Sequence, residues 1–150
     1  MASWAEIGNE VPAFAASVQA TFERNKHMTL ATLRCDGSPR ISGTELQFAD
    51  GEVRVGMMAR SRKALDVLRD PRVAIHSPSV DPPDNPSEWA GEGKISGRAI
   101  ELANDDPEDD SHSFRIDIDE VVFTHINGAG DRLVVESWHP GRGIEVVERE

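Results

Sequence analysis

At 150 residues the chain has the length of one ordinary domain, enough to bury about 68–70% of its unfolded surface without disulfides or metals. Hydrophobic residues make up 38%, which supplies a core, but no stretch approaches the ~18 consecutive apolar residues of a membrane-crossing helix. The net charge of −11 argues against nucleic acid and against an anionic membrane surface, because both are bound through Lys and Arg. The acidity is local: Glu101 to Glu120 holds nine acids and one base, Arg115, so the remainder carries only −3 and is free to host an anion. Within that segment Asp105-Asp106-Pro107-Glu108-Asp109-Asp110 reads as a solvated loop. Cys35 is the single cysteine, which rules out an intrachain disulfide and fits a reducing, cytoplasmic setting. It lies beside Asp36-Gly37 with no base obviously placed to activate it, and reads as a turn residue. The acids Glu6 and Glu10 near the start are unlike a secretory signal.

In chain order, Ser3-Trp4-Ala5-Glu6 has capping-box spacing and predicts a short helical turn. A longer helix follows with Pro12 at an early position, and Val11, Phe14, Ala15, Val18 and Phe22 form one apolar face that ends near Asn25. Met28 to Arg34 predicts a strand, Cys35 to Pro39 a turn, Arg40 to Phe48 a second strand, and Ala49-Asp50-Gly51 a turn into a third, Glu52 to Met57. Ser61 opens a short helix from Arg62 to Arg69 with Leu65 and Leu68 assigned to its buried side, and Asp70-Pro71 stops it. Arg72 to Ser77 is a fourth strand. Pro78 to Pro86, with four prolines, is a surface loop, and Glu92 to Leu102 is a fifth strand whose Gly93 and Gly97 permit a bend or a close backbone approach. After the acidic loop, Ser113 to Ile126 is a long strand, Arg132 to Trp138 another, and Ile144 to Val147 a short last one. No internal repeat and no second domain is visible in residues 1–150. Many short strands with few helices imply a mainly β, α+β fold closed into a barrel, since closure removes exposed edges.

The most informative chemistry is at Ser61-Arg62-Lys63. Two bases in a first helical turn oppose the macrodipole, yet become favourable when an anion binds the helix N–H groups, the serine hydroxyl and both cations. Gly56-Met57-Met58-Ala59 precedes it with soft apolar side chains, Met57 among them, suited to an aromatic ring. Arg40, Ser42 and Thr44 share one face of the second strand by period two, opposite Ile41 and Gly43. Histidines 27, 76, 112, 125 and 139 include no pair at metal-ligand spacing on one element, so no structural zinc is expected. There is no nucleophile elbow, Walker or Rossmann glycine pattern.

The segments Met28-Thr29-Leu30-Ala31-Thr32-Leu33-Arg34, Asp36-Gly37-Ser38-Pro39-Arg40-Ile41-Ser42, Ser61-Arg62-Lys63-Ala64 and Asp70-Pro71-Arg72-Val73-Ala74 occur in that order. Together they resemble the pyridoxamine 5′-phosphate oxidase-like superfamily of flavin- and deazaflavin-binding split barrels, over roughly residues 24–102. The resemblance implies a six-stranded antiparallel split β-barrel of the FMN-binding type. It also implies a homodimer with two cofactor sites at the subunit interface, the phosphate held by Ser61, Arg62 and Lys63, and Arg40 along the cofactor. A polar residue early in the fifth strand is carried to Glu92 or Lys94. In the oxidase a lysine ends the second strand, where this chain has Glu45, and the oxidase's C-terminal Arg-Leu-His-x-Arg substrate motif is absent. Trp138-His139-Pro140-Gly141-Arg142-Gly143 occupies the comparable end, so Trp138 and Arg142 are expected at the rim of the partner's site. The function expected from this resemblance is an oxidoreductase using FMN, or the deazaflavin F420, to move hydride to or from a small organic substrate. The alternative is a non-enzymatic flavin- or haem-binding protein. The overall acidity favours FMN, because the polyglutamate tail of F420 wants a basic groove.

Overall fold

A computed structural model describes residues 1–150. The N-terminal turn is helix α1 (Trp4–Glu10), and both halves of its capping box form between Ser3 and Glu6. Helix α2 (Pro12–Glu23) follows with proline in its first turn, and buries Phe14, Ala15, Val18, Thr21 and Phe22 as the apolar spacing requires. Strands β1 (Met28–Leu33), β2 (Pro39–Thr44), β3 (Leu46–Ala49) and β4 (Glu52–Met57) come next, then helix α3 (Arg62–Arg69) and strand β5 (Arg72–His76). The proline-rich loop holds one short 3-10 turn, Pro86–Glu88. Strands β6 (Glu92–Glu101), β7 (His112–Ile126), β8 (Leu133–His139) and β9 (Gly143–Arg149) complete the chain.

The predicted second strand is broken at Glu45, and the break closes the barrel. Its first half, β2, pairs antiparallel with β1, and its second half, β3, pairs antiparallel with β4. Counting β2–β3 as one bent strand, β1, β2–β3, β4, β7, β6 and β5 form a ring of six, every neighbour antiparallel. Strand β7 is long enough to serve twice: His112 to Arg115 pair with β4, and Val121 to Ile126 pair with β8, which carries β9 as its hairpin partner. The β3–β4 hairpin uses Asp50-Gly51, both at positive φ (54° and 73°), the two-residue turn whose twist matches its strands. The β6–β7 register slips between Ser96 and Gly97. A β-carbon at Gly97 would collide with the Asp117 carbonyl, so glycine lets the two backbones close on the bulge.

One apolar cluster fills the barrel and the space under α1 and α2, and includes Ile7, Val18, Leu30, Val55, Ile95 and Phe114. Trp138 belongs to it at 1% exposure, with no partner for its indole N–H. Three histidine–glutamate pairs, His112–Glu101, His125–Glu136 and His139–Glu120 at 2.7, 3.0 and 2.8 Å, tie neighbouring strands from the side. The acidic loop is exposed and held by its own Asx turns, such as the Asp106 N–H donating to Asn104 Oδ1. No helix is long and apolar enough to cross a membrane.

Candidate functional site

The helix start that the sequence singled out is built by a tight turn. The Ser61 N–H donates to the Met58 carbonyl at 3.1 Å, and Arg60 sits at φ 57°, a left-handed backbone position uncommon outside glycine. Ser61 is the N-cap: its hydroxyl oxygen accepts from the Ala64 N–H at 3.3 Å, which leaves the hydroxyl proton for another partner. The first turn of α3 contains no acid, so nothing in it offsets the macrodipole or the two cations.

Arg62 and Lys63 diverge into two different cavities. Lys63 Nζ donates to the Gly43 carbonyl of β2 at 2.8 Å and lines a cavity of about 450 Å³. Thr44, Glu45, Arg54, Met58 and Ser113 also line it, as do Gly43 and Gly56. A β-carbon built at either glycine meets no atom within 4 Å, so the two backbones leave open space on the cavity wall. Glu45, where the resemblance would have a lysine, reaches the cavity mouth and lies 3.8 Å from Lys26 and 4.0 Å from His27. Met58 is 80% exposed at this rim, whereas the expected Met57 is buried in the core: period two along β4 points Met57 inward.

Arg62 lines the second cavity, of about 370 Å³, with Arg34, Arg40 and Arg69. Its centre of organisation is Asp66, 3% exposed, whose Oδ2 accepts from the Thr32 hydroxyl and Arg40 Nε, both at 2.7 Å. Its Oδ1 accepts from Arg69 Nη2 at 3.3 Å. Burial alone would raise the Asp66 pKa, but the hydrogen bonds from Arg40, Thr32 and Arg69 outweigh it and hold the carboxyl below its ordinary value. Cys35 is exposed on the same wall. The expectation that no base lies near it is therefore corrected: the β1–β2 turn delivers it to a cavity lined by four arginines.

The alternation expected along β2 is present, but Arg40, Ser42 and Thr44 turn inward while Ile41 is 75% exposed on the outer face. Arg40 lines the second cavity, Thr44 is buried at the first, and Ser42 lines neither. Lys94 stands exposed on the outside of β6, opposite His76, and away from both cavities. Trp138 is corrected from rim to core: it faces inward on β8 between Val121 and Ile144 and presents no ring face to a ligand. Arg142 is exposed in the β8–β9 turn, 3.9 Å from Glu145. Gly43, Arg54, Asp66 and Arg69 lay outside the sequence-based site, and Gly56 entered it only as part of the segment before α3; the inversion of charge at the start of α3 was the signal that pointed toward the rest.

No protein-family model and no curated protein matches the sequence. Solved structures do match. A pyridoxamine 5′-phosphate oxidase-related, FMN binding protein from Nostoc punctiforme superposes with TM-score 0.65 at 12% identity, covering 100% of this chain and 98% of that one. An F420 reductase gives 0.52 at 21% identity over 69% of this chain and 94% of its own. A heme binding protein from Mycobacterium smegmatis gives 0.53 at 13% identity over 89% and 87%. Identities this low establish a shared fold alone: the chain is a six-stranded split β-barrel like that of the pyridoxamine 5′-phosphate oxidase-related protein.

Proposed function

From a split-barrel fold shared with proteins named for FMN, F420 and heme, we propose that this chain is a homodimeric oxidoreductase that holds FMN at the start of α3 and acts on a small organic substrate. The observation that carries the reading is the first cavity. It joins an acid-free, cation-bearing helix start to two strand glycines whose missing side chains leave open space. Phosphate at the helix end meets the Ser61 hydroxyl, free N–H groups and the Lys63 ammonium, with Arg62 adding charge from the other side. A flat ring lies against backbone at Gly43 and Gly56, where any side chain would stand in its way. Met58, exposed at the rim, supplies a soft apolar contact.

When bound, FMN supplies reversible two-electron chemistry, and the protein's part is to bind, orient and shield. Lys63 keeps its place through the Gly43 carbonyl and retains two further N–H donors for phosphate. Arg54 reaches the cavity wall from β4, where Asp50 holds it by an ion pair at 3.1 Å, and with Ser113 it offers polar contacts to a substrate. Four large apolar side chains, Ile41, Met58, Leu65 and Leu68, stand 47–80% exposed, and Met58 and Leu65 sit at the cavity walls; a second copy would cover them and enclose the site.

The test is the visible spectrum and mass of whatever co-purifies, followed by titration of the apoprotein. FMN absorbs near ~450 nm, F420 near ~420 nm, and heme gives a Soret band. Arg62→Ala with Lys63→Ala is expected to weaken FMN by at least ~100-fold while leaving riboflavin, which lacks the phosphate, nearly unchanged. Equal losses for both ligands, or none, refute the phosphate assignment.

A further inference from the structure

Arg54 precedes Gly56 by two residues on β4, so the two share a face, with Arg54 on the side of Gly56 away from α3. The β4–β7 register sets Arg54 directly opposite Arg115, and Gly56 directly opposite Ser113. On the flanking strands Gln47 stands opposite Arg54, and Ile100 opposite Arg115. Gln47, Arg54, Gly56 and Ser113 all line the first cavity, and Arg115 stands at its edge, two residues along the same face from Ser113. Like charges directly opposite across a ladder destabilise a sheet, because their β-carbons are only about 4.5–5.5 Å apart. Little in the protein offsets this pair. Asp50 takes Arg54 through Nη1 at 3.1 Å, and the Arg54 Nε is buried without an acceptor. Arg115 has no carboxylate within 4.0 Å, and Asp117, the next residue on its face, stands opposite Arg98. Glu52, the residue before Arg54 on that face, reaches neither guanidinium within 4.0 Å. Glu45, the acid on the cavity wall, lies by Lys26. One carboxylate thus serves two guanidiniums, and the pair keeps a single net positive charge.

We propose that the substrate of this site is an organic carboxylate, held by Arg54 and Arg115, with Gln47 and Ser113 adding neutral hydrogen bonds; this rests on the flavin reading of the same cavity and names its substrate class. A carboxylate placed between the two guanidiniums turns their repulsion into two charge-assisted contacts. Charge balance selects the carboxylate: its one negative charge matches the one left over, whereas a phosphate dianion would leave the site negative. The pair is separate from the donors given to the flavin phosphate, because it lies across Gly56 from Ser61. Asp50 is the positioning residue, since its ion pair fixes where the Arg54 guanidinium stands.

The experiment titrates the whole protein with benzoate and with its neutral isostere benzamide, followed by backbone amide shifts, without FMN and with saturating FMN. Saturable shifts at Gln47, Ser113 and Arg115 are expected for benzoate, which should bind at least about tenfold tighter than benzamide. Arg115→Gln, with its amide spectrum otherwise that of the parent, should abolish this preference, and Arg115→Lys should restore part of it. Arg149→Gln, which removes the same charge from β9, should leave the preference unchanged. FMN affinity should be the same in Arg115→Gln as in the parent. Benzoate bound no tighter than benzamide, a preference that survives Arg115→Gln, or an equal loss in Arg149→Gln overturns the proposal. A loss of FMN affinity in Arg115→Gln with the benzoate preference intact gives the pair to the cofactor and overturns it as well. Failure of FMN to bind, with benzoate still favouring the parent over Arg115→Gln, instead removes the flavin reading and leaves the carboxylate site standing.

Discussion

A β-carbon at Gly43 or Gly56 would project into open cavity and meet no protein atom within 4 Å. Neither residue is at positive φ, and both are in strands, where valine is favoured. Gly43→Val and Gly56→Val should therefore fold with stability within about 0.5 kcal/mol of the parent. Each should weaken FMN by at least about tenfold, because the branched side chain occupies the ring's place. Chemical denaturation and FMN titration of the same preparations check both halves. Asp66 behaves in the opposite way, since it is buried among partners. Asp66→Asn should cost about 2 kcal/mol, as hydrogen bonds to a charged group are lost and Arg40 is left uncompensated. Its folded carboxyl titrates below the ordinary value, so its contribution is complete above the unfolded-state pKa of about 3.9 and vanishes as pH falls through the lower folded value. Stability measured from about pH 6 down to about pH 2 should fall less steeply in Asp66→Asn than in the parent over that window.

Helix α3 shows how an element can be right in extent and wrong in phase. Its bounds, Arg62 to Arg69, are those expected from Ser61 and Asp70-Pro71. Two i, i+3 pairs compete for its buried side, Leu65/Leu68 and Ala64/Val67. Hydrophobicity favours the leucines, yet Ala64 and Val67 are buried and the leucines are 49% and 47% exposed. The small pair lets the helix sit close to β1, and the same phase carries Asp66 down to Thr32 and Arg40. Strand β6 illustrates the reverse: the glycine read as a close approach is one. Gly97→Ala should cost about 1–3 kcal/mol, because its β-carbon meets the Asp117 carbonyl rather than a movable side chain. A denaturation midpoint equal to the parent's would show that the bulge yields instead. Strand β8 shows the limit of reasoning from position along the chain. Trp138 ends an alternating run before Pro140-Gly141, which suggested a rim, but its alternation places it on the core face.

On the scale of the whole molecule, Ile41 on β2 and Leu65 and Leu68 on α3 are among the exposed apolar side chains, which cost solvation in an isolated chain. A two-fold dimer buries such side chains against its own copy. Leu65→Glu with Leu68→Glu should leave the barrel folded, because neither leucine is in the core, while shifting the protein to monomer and weakening FMN. Light scattering and a thermal melt read the two effects separately. A cofactor-loaded parent that is monomeric at micromolar concentration would end the dimer proposal.

What the sequence by itself determined is local. Capping residues, prolines and Asp-Gly turns set where elements begin and end, and period-two and period-3.6 patterns set their type, because those signals act between residues a few positions apart. Ser61 marked the start of α3 for the same reason. Tertiary structure decided which faces turn inward, and therefore which side chains share a cavity. One strand is interrupted at Glu45 so that its two halves pair on either side of the break, Asp66 is buried beneath two arginines from different elements, and adjacent Arg62 and Lys63 open onto separate cavities. Each of these depends on barrel closure, in which strands far apart in sequence compete for the same interior, and burial goes to whichever set of side chains fills it without leaving a charge unpaired.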